Sequence, residues 1–494
     1  MVDNLTRHFE FADSPENPTA FNLFWYGEKI GSFTFGGRKE WHPEPGYESM
    51  FVMDELGKLP CFLDNINPDG WLKGALEVEL QTEYVAKGLR FLSNFVIVRE
   101  GERTDNIVVD ELLCGLGQYT GENGVFTGRY EAHQGMAGED DHDAALKDNW
   151  KDRHMPRLSG AEQKLFMTLY PCGTMQPAQR TSFTHFAKYP GVGGYESLGL
   201  NEFLGMKMAK AAGLSVPPFA LVDQGEHPPL FCVERFDIPH EHDPQAQHKI
   251  LMQDFCTLMQ KEETQKFAGS IEKVFKKVKE LSDAYSPELT QANTQALFDR
   301  VAASWIMNDG DLHLKNISMI FKVDPATNAI QSASFAPTYD ATIDLFSESG
   351  GTTTALTLSG TSKANRKLQD FVTLARNVGL FKDENGAFDQ SAAQVHLQNM
   401  ASKMAETAVD FARNPPDLKA MSPVLRQDIR FMASHVVDRA RVLGAQTPEW
   451  DSKAEWSRFK DNSPKRRKMV ADGRFIERNG QTRKVSACRA RGRQ

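Results

Sequence analysis

The sequence predicts an α+β protein of two lobes, a β-rich one followed by a mainly helical one. Three observations carry this. At 494 residues, 40% of them hydrophobic, the chain can bury a large core and exceeds one ordinary domain. Strand-like runs broken by turn residues fill its first half, whereas amphipathic helical stripes dominate beyond residue 250. With 32 Phe and a quarter of its residues charged, it is not a disordered chain. Strands first and helices later is the order of two packed α+β lobes, not of a repeating βαβ sheet.

In the first 150 residues the pattern is that of a β-rich subdomain. Phe24, Trp25, Tyr26 and Gly27, followed by an apolar alternation from Ile30 to Phe35, predict a hairpin. Residues 59–70 end in turn chemistry at Asn65, Asn67, Pro68, Asp69 and Gly70, and the acid-rich stretch 138–143 reads as an exposed loop. A boundary is expected near 150, with a second unit over 151–260, a helical lobe over 261–450 and a basic tail over 451–494.

The second unit opens with Arg157, Leu158, Ser159, Gly160 and Ala161, a small-residue loop that turns into an apolar run at Leu165. Gly160 allows close backbone approach, so this loop can either fold over phosphates or form a simple hairpin turn. Gly191, Gly193 and Gly194 do not complete a dinucleotide fingerprint. Residues 184–188 read as a strand that ends on Lys188, a residue type that grips nucleotide phosphates. Leu200, Phe203, Leu204, Met208 and Ala211 form a helical stripe closed by Gly213, with Pro217 beyond. Glu202, in its first turn, serves either as a partner for Lys188 or as a favourable charge on the helix dipole. Residues 219–222 and 230–236 are two further strands, the second leading into a hinge.

In the helical lobe, residues 298–307 run into the loop Asn308, Asp309, Gly310, Asp311, Leu312, His313, Leu314, Lys315, Asn316, just before a strand-like run over 317–321. Further helices are expected near 368–378, 392–412 and 424–443. An Asp with an Asn five residues on is the layout of a kinase catalytic loop: the Asp takes the acceptor's proton and the Asn holds magnesium. Polar turn residues alone also make such a loop. Residues 335–340 end in Asp340, where a second magnesium ligand is needed, so Lys188, Asp311, Asn316 and Asp340 fall in the chain order of a phosphoryl-transfer site.

These residues resemble the HipA family, bacterial toxin kinases of type II toxin-antitoxin pairs. The resemblance rests on Ser159 to Lys164, Lys188, Asn201 with Glu202, Ala209 to Pro217, Val233 to Asp237, Gln253 to Cys256, Asp311 to Asn316, and Tyr339 with Asp340; it reaches more weakly into residues 62–70. It implies a two-lobed protein-kinase-like fold and ATP and Mg2+ as cofactors. Asp311 would be the base, Asn316 and Asp340 the metal ligands, and Lys188 the phosphate lysine. Gly160, Ala161, His313 and the backbone at Glu234 and Phe236 would line the nucleotide site, and Asp237 and Asp254 are framework residues. It further implies a protein-serine substrate, in studied relatives an aminoacyl-tRNA synthetase, and a helix-turn-helix antitoxin that binds operator DNA. Relatives silence themselves on a loop serine three residues before the loop Gly. That position is Arg157 here, and Ser159 falls on a second serine position, either an autophosphorylation site or a plain loop serine.

Charge and cysteine usage set the remaining bounds. The net charge is −9, yet residues 452–494 carry 14 Lys or Arg against 4 Asp or Glu, +10, leaving about −19 for the rest. Such a tail suits nucleic acid or an acidic partner, or is a solvated terminus. Six scattered Cys without a C-x-x-C pair indicate neither a disulfide framework nor a zinc site. Without an apolar run of about 18 residues or an apolar signal core, a cytoplasmic location is expected and no membrane partner. Two other functions stay open at this level: a small-molecule kinase using the same loop, or a catalytically weak scaffold for antitoxin and DNA.

Overall fold

The structure is a computed structural model that describes residues 20–34, 40–65, 89–101, 104, 107–110, 115–131, 164–178, 182–188, 196–239, 248–343, 353–459, 475–478 and 481–484. The loop with Ser159, Gly160 and Ala161 lies outside the described residues, as do the stretches 66–70, 138–143 and 191–194 and most of the basic tail.

A five-stranded antiparallel sheet comes first, built from β1 (Ala20–Trp25), β2 (Glu28–Thr34), β3 (Glu40–Pro43), β4 (Leu89–Arg90) and β5 (Phe95–Arg99), with the short helix α1 (Cys61–Asn65) between β3 and β4. Its order is β3-β2-β1-β5-β4. Tyr26 and Gly27, at φ +49° and +80°, join β1 to β2; a two-residue turn with both φ positive matches the twist of the strands it connects. Alternation along β1 sends Phe21, Leu23 and Trp25 fully inside, where Phe95 lies 4.9 Å from Phe62 and 6.0 Å from Trp25, ring to ring.

The next sheet has six strands: β6 (Arg129–Tyr130), β7 (Lys164–Leu169), β8 (Thr174–Pro177), β9 (His185–Lys188), β10 (Phe219–Gln224) and β11 (His227–Glu234), in the order β10-β11-β9-β7-β8-β6. Only the β6 to β8 pairing is parallel. Helix α2 (Leu198–Ala211) packs on it, ended by Gly213 at φ +94°, a left-handed conformation that glycine adopts without steric cost. The expected helix thus begins two residues earlier than its apolar stripe, which places Glu202 in the second turn rather than the first.

Beyond lie α3 (Phe255–Leu258), α4 (Ile271–Tyr285), α5 (Thr290–Met307), α6 (Leu368–Asn377), α7 (Gln390–Arg413), α8 (Pro423–Val442) and α9 (Ser452–Phe459). Side-chain caps fix several starts, among them α7, where Asp389 accepts from Ala392 N at 2.9 Å, and α8, where Ser422 accepts from Leu425 N at 3.3 Å. The helical half also holds a three-stranded sheet of β12 (Lys249–Asp254), β13 (Ser318–Val323) and β14 (Ile330–Phe335), and a hairpin of β15 (Thr353–Leu358) and β16 (Thr361–Lys363). Of these, β13 was legible beforehand, as the strand-like run over 317–321. A last hairpin pairs β17 (Phe475–Arg478) with β18 (Gln481–Lys484).

Side chains of the N-terminal sheet cover the open edge of β12. Ile250 N donates to the Tyr26 hydroxyl at 3.0 Å, Met252 N to Ser93 Oγ at 3.0 Å, and Lys249 pairs with Glu28 at 2.6 Å. A second tie is the fully buried Arg235. Its Nε and Nη2 reach the two carboxylate oxygens of Asp237 at 2.9 and 2.7 Å, while Nη1 reaches Asp110 at 2.8 Å and the Phe183 carbonyl at 2.7 Å. Asp237 also accepts from Ser93 N at 2.5 Å. Although burial lowers the guanidinium's pKa, the Asp237 and Asp110 carboxylates more than reverse this and raise it. Asp237→Ala should therefore destabilise the protein by about 3–5 kcal/mol, the usual effect of leaving one buried charge without its partner. Urea denaturation reads this as a lower midpoint at unchanged slope.

Candidate functional site

The two sheets and the helical lobe enclose a cavity of about 460 Å³. It is lined by Lys188, Glu202, Glu234, Phe236, Asp311, His313, Asn316 and Asp340, so every site residue expected from sequence that is described faces one space. These residues come from β9, α2, the end of β11, the loop after α5 and the loop after β14.

Lys188, at the end of β9, is buried, and its ammonium lies 2.8 and 2.7 Å from the two carboxylate oxygens of Glu202. It also pairs with Asp340. Glu202 is itself 3% exposed, so its place is in an ion pair with Lys188 and not on a solvated helix end. Burial works to raise the Asp340 pKa, but the charges of Lys188 and Lys164 and the Lys188 hydrogen bond hold the carboxyl well below the ordinary range. Asp340 is thus a carboxylate at any physiological pH.

Helix α2 presses directly on the Asp340 segment. Asn201 bridges Ile343 in both directions, accepting from its N–H and donating to its carbonyl, each at 2.7 Å. A Cβ on Gly205 would fall 2.0 Å from the Ala341 carbonyl oxygen, so only glycine allows this approach. Sequence reasoning passed over Gly205; a glycine in the middle of a strongly helical stripe was the available signal.

The Asp311 loop is held by its own backbone and by α5. Asn308 ends α5 in the left-handed region at φ +61°, which Asn tolerates, and its side chain accepts from Arg439 at 2.6 Å. Asp309 accepts from Asp311 N at 2.9 Å and from Ser304 Oγ at 3.1 Å. Asn316 Nδ2 donates to the Asp311 carbonyl at 2.9 Å, closing the loop on itself. Buried Arg300 joins this loop to the next, lying 3.5 Å from Asp309 and 3.3 and 3.4 Å from the Tyr339 and Asp340 carbonyl oxygens. Nothing in the spacing of the sequence marked Arg300.

Asp311 itself stands 61% exposed at the cavity mouth, and His313 Nε2 lies 3.8 Å from its carboxylate. Burial, reinforced by Lys266 and Lys315 and opposed by Asp340, pushes the His313 imidazole down to about 4. It is therefore neutral at pH 7.

At the hinge, Glu234 is buried and accepts from Leu116 N at 2.6 Å, while the Phe236 ring lies tilted against Tyr339, centroids 5.7 Å apart. Phe62, Phe91, Leu92 and Ser93 form another wall. That wall belongs to the N-terminal module and was not anticipated, since no local pattern links residues about 140 or more positions away from the hinge. Ser93 and Asn94 both sit at positive φ, +55° and +59°, a strained pair held by the Asp237 and Asp110 hydrogen bonds.

Asn316 and Asp340 offer oxygen donors, which suit a hard cation such as Mg2+. Among the described residues no cluster of three or more His, Cys, Asp or Glu side chains could hold a metal. A metal here would therefore complete its shell with water and phosphate oxygens, the ordinary habit of Mg2+ in phosphoryl-transfer sites. No described helix is long and apolar enough to cross a membrane.

The HipA-like C-terminal domain model matches residues 157–410 of this chain. Among solved structures, HipA from the Shewanella oneidensis MR-1 complex of HipA, HipB and operator DNA aligns with a TM-score of 0.58 at 15% identity, covering 86% of this chain and 98% of that one. The Helicobacter pylori proinflammatory kinase CtkA aligns at a TM-score of 0.36 and 13% identity over 60% of this chain and 94% of its own, too distant to carry an argument. No curated protein matches the sequence significantly. The α+β fold, β-rich first and helical after, is thus that of HipA.

Two measurements test this geometry. The His313 imidazole should titrate near about 4 by NMR, against an ordinary 6.5. Its depressed folded pKa contributes stability that is present above the unfolded value and lost as pH falls from 6.5 toward about 4, so His313→Gln should lose less of its urea midpoint over that window than the parent. Gly205→Ala should displace the Asp340 segment, which shifted backbone NMR resonances of residues 340–343 at retained helicity would report.

Proposed function

Because the chain belongs to the family defined by the HipA-like C-terminal domain, we propose that it is an ATP- and magnesium-dependent serine/threonine protein kinase acting as a growth-arrest toxin. The observation that carries this reading is the convergence of Lys188, Asp311, Asn316 and Asp340 on one cavity from three separate stretches of chain.

In this reading Lys188 holds the nucleotide phosphates, kept charged and aimed by Glu202. Asn316 and Asp340 hold the magnesium, which when bound neutralises charge on the transferring phosphoryl group. Asp311 accepts the proton of the acceptor hydroxyl as the new O–P bond forms and the bond from the γ-phosphorus to the bridging oxygen breaks, releasing ADP. The exposure of Asp311 favours an acceptor carried on a protein, because a bulky partner can reach it from outside. The His313 beside it is a neutral imidazole and not an imidazolium.

Gly160 and Ala161 would close over the phosphates, and the backbone at Glu234 and Phe236 would meet the adenine, in the manner of the family. Ser159 is the candidate for autophosphorylation. An aminoacyl-tRNA synthetase as substrate and a helix-turn-helix antitoxin with operator DNA as partners follow from the same membership, the latter supported by the HipB and DNA present with the Shewanella protein. The basic tail offers a second route to DNA.

Incubation of the purified chain with γ-labelled ATP and magnesium, with and without bacterial lysate, tests the reading. Label should appear on a protein band, and Asp311→Asn should lower transfer by about a thousandfold, within the range for losing a general base, while ATP binding and the thermal midpoint persist. Label that remains in small molecules would replace the protein acceptor with a soluble one. Lys188→Met should weaken ATP binding itself and so separate the phosphate-holding role from the proton-accepting one.

A further inference from the structure

We propose that Phe267 sets acceptor specificity by receiving an apolar side chain within three residues of the phosphorylated Ser or Thr. The proposal rests on the protein-kinase reading of this site and names what that site selects.

Among the described residues the large apolar side chains left exposed are Leu56, Phe267, Tyr285, Val395 and Val442. Of these five, Phe267 lines the cavity. Scattered exposed apolar residues need no explanation, but one at the mouth of a reactive cavity is placed to meet what enters. Its ring is 51% exposed and stands edge-on to His313, centroids 5.1 Å apart at 82°.

The exposure does not come from a loose loop. The Lys266 carbonyl, one residue before Phe267, accepts from Leu314 N of the catalytic loop at 3.0 Å. Two residues after it, the Gly269 carbonyl accepts from Thr357 N at 3.2 Å and from Thr357 Oγ1 at 3.1 Å. Ala268 N closes a turn on the Gln265 carbonyl at 2.7 Å, and Glu262 and Gln265 form a reciprocal capping box just before. The catalytic loop therefore fixes where the ring stands relative to Asp311.

Phe267 and Asp311 flank the same imidazole, with His313 Nε2 3.8 Å from the Asp311 carboxylate. An extended peptide advances roughly 3.4 Å per residue, so a chain whose hydroxyl rests on Asp311 passes Phe267 within one to three residues. Covering the ring with an aliphatic or aromatic side chain removes apolar surface from water on both partners. The Lys266 ammonium, 5.6 Å from the ring centroid, and Lys315 at the same cavity disfavour a basic residue at that position.

The test uses the full chain, magnesium, γ-labelled ATP and synthetic peptides with a fixed central Ser and one flanking position varied at a time. The parent should select Leu, Ile, Met or Phe at one position within three residues of the Ser. Phe267→Ala should lose that selection and raise the KM for the selected peptide by about tenfold, the scale of one apolar contact in a specificity pocket. The loss should fall on the peptide's KM and not on kcat or on the KM for ATP, and Phe267→Leu should restore most of it. Unchanged selection and peptide KM in Phe267→Ala would overturn the inference while leaving the kinase reading intact. A rise in the KM for ATP instead would assign the ring to the nucleotide and also overturn it. ATP turnover without label on any peptide would sink the protein-kinase reading itself, and this inference with it.

Discussion

A buried ammonium cannot be left alone in a protein interior, and Lys188 meets that requirement with two carboxylates taken from distant parts of the chain. Glu202 comes from the helix after the lysine strand and Asp340 from a loop in the helical lobe, 14 and 152 positions away. Desolvation of one charge thus forces three elements to one point, because removing any member leaves the others buried and unbalanced. Helix α2 does more than deliver Glu202. Asn201 pairs with Ile343, and Gly205 admits the Ala341 carbonyl, so one face of a single helix fixes the whole Asp340 segment.

The N-terminal sheet adds a further tie to the helical lobe, beside contacts such as Phe203 with Phe411, ring centroids 5.7 Å apart. β12 leaves one edge open beside β13, and Tyr26 and Ser93 place hydroxyl oxygens where a neighbouring strand would place carbonyls. Ser93 then hands its own N–H to Asp237, which binds Arg235 through both oxygens. The positive φ of Ser93 and Asn94 is the local consequence: the turn is bent to serve two hydrogen-bond networks at once. This is why an N-terminal module forms part of the cavity wall.

Electrostatics divides the cavity by burial. Asp340, half-buried, is held as a carboxylate by lysines, whereas Asp311 is open to water beside an imidazole that burial keeps neutral. Two Asp residues of the same type therefore differ in what each can do: one suits a cation and the other a proton in transit. Arg300 spans the two loops that carry them, so their spacing is set from the core side of α5.

Much of this was legible in the residues alone. The Tyr26 and Gly27 turn, the Lys188 strand, the helix ended by Gly213 and the Asp311 to Asn316 loop all depend on neighbours within about one turn or one hairpin, the range over which φ/ψ preferences and apolar periodicity act. Chain order then matched these pieces to one kind of site. What only tertiary structure decided involves partners far apart in sequence: that Glu202 meets Lys188 and not solvent, that Gly205 is a contact and not a flaw in a helix, that Arg235 and Arg300 are buried hubs. Burial and charge pairing of this kind are properties of surfaces brought together by folding, and no single stretch of sequence carries them.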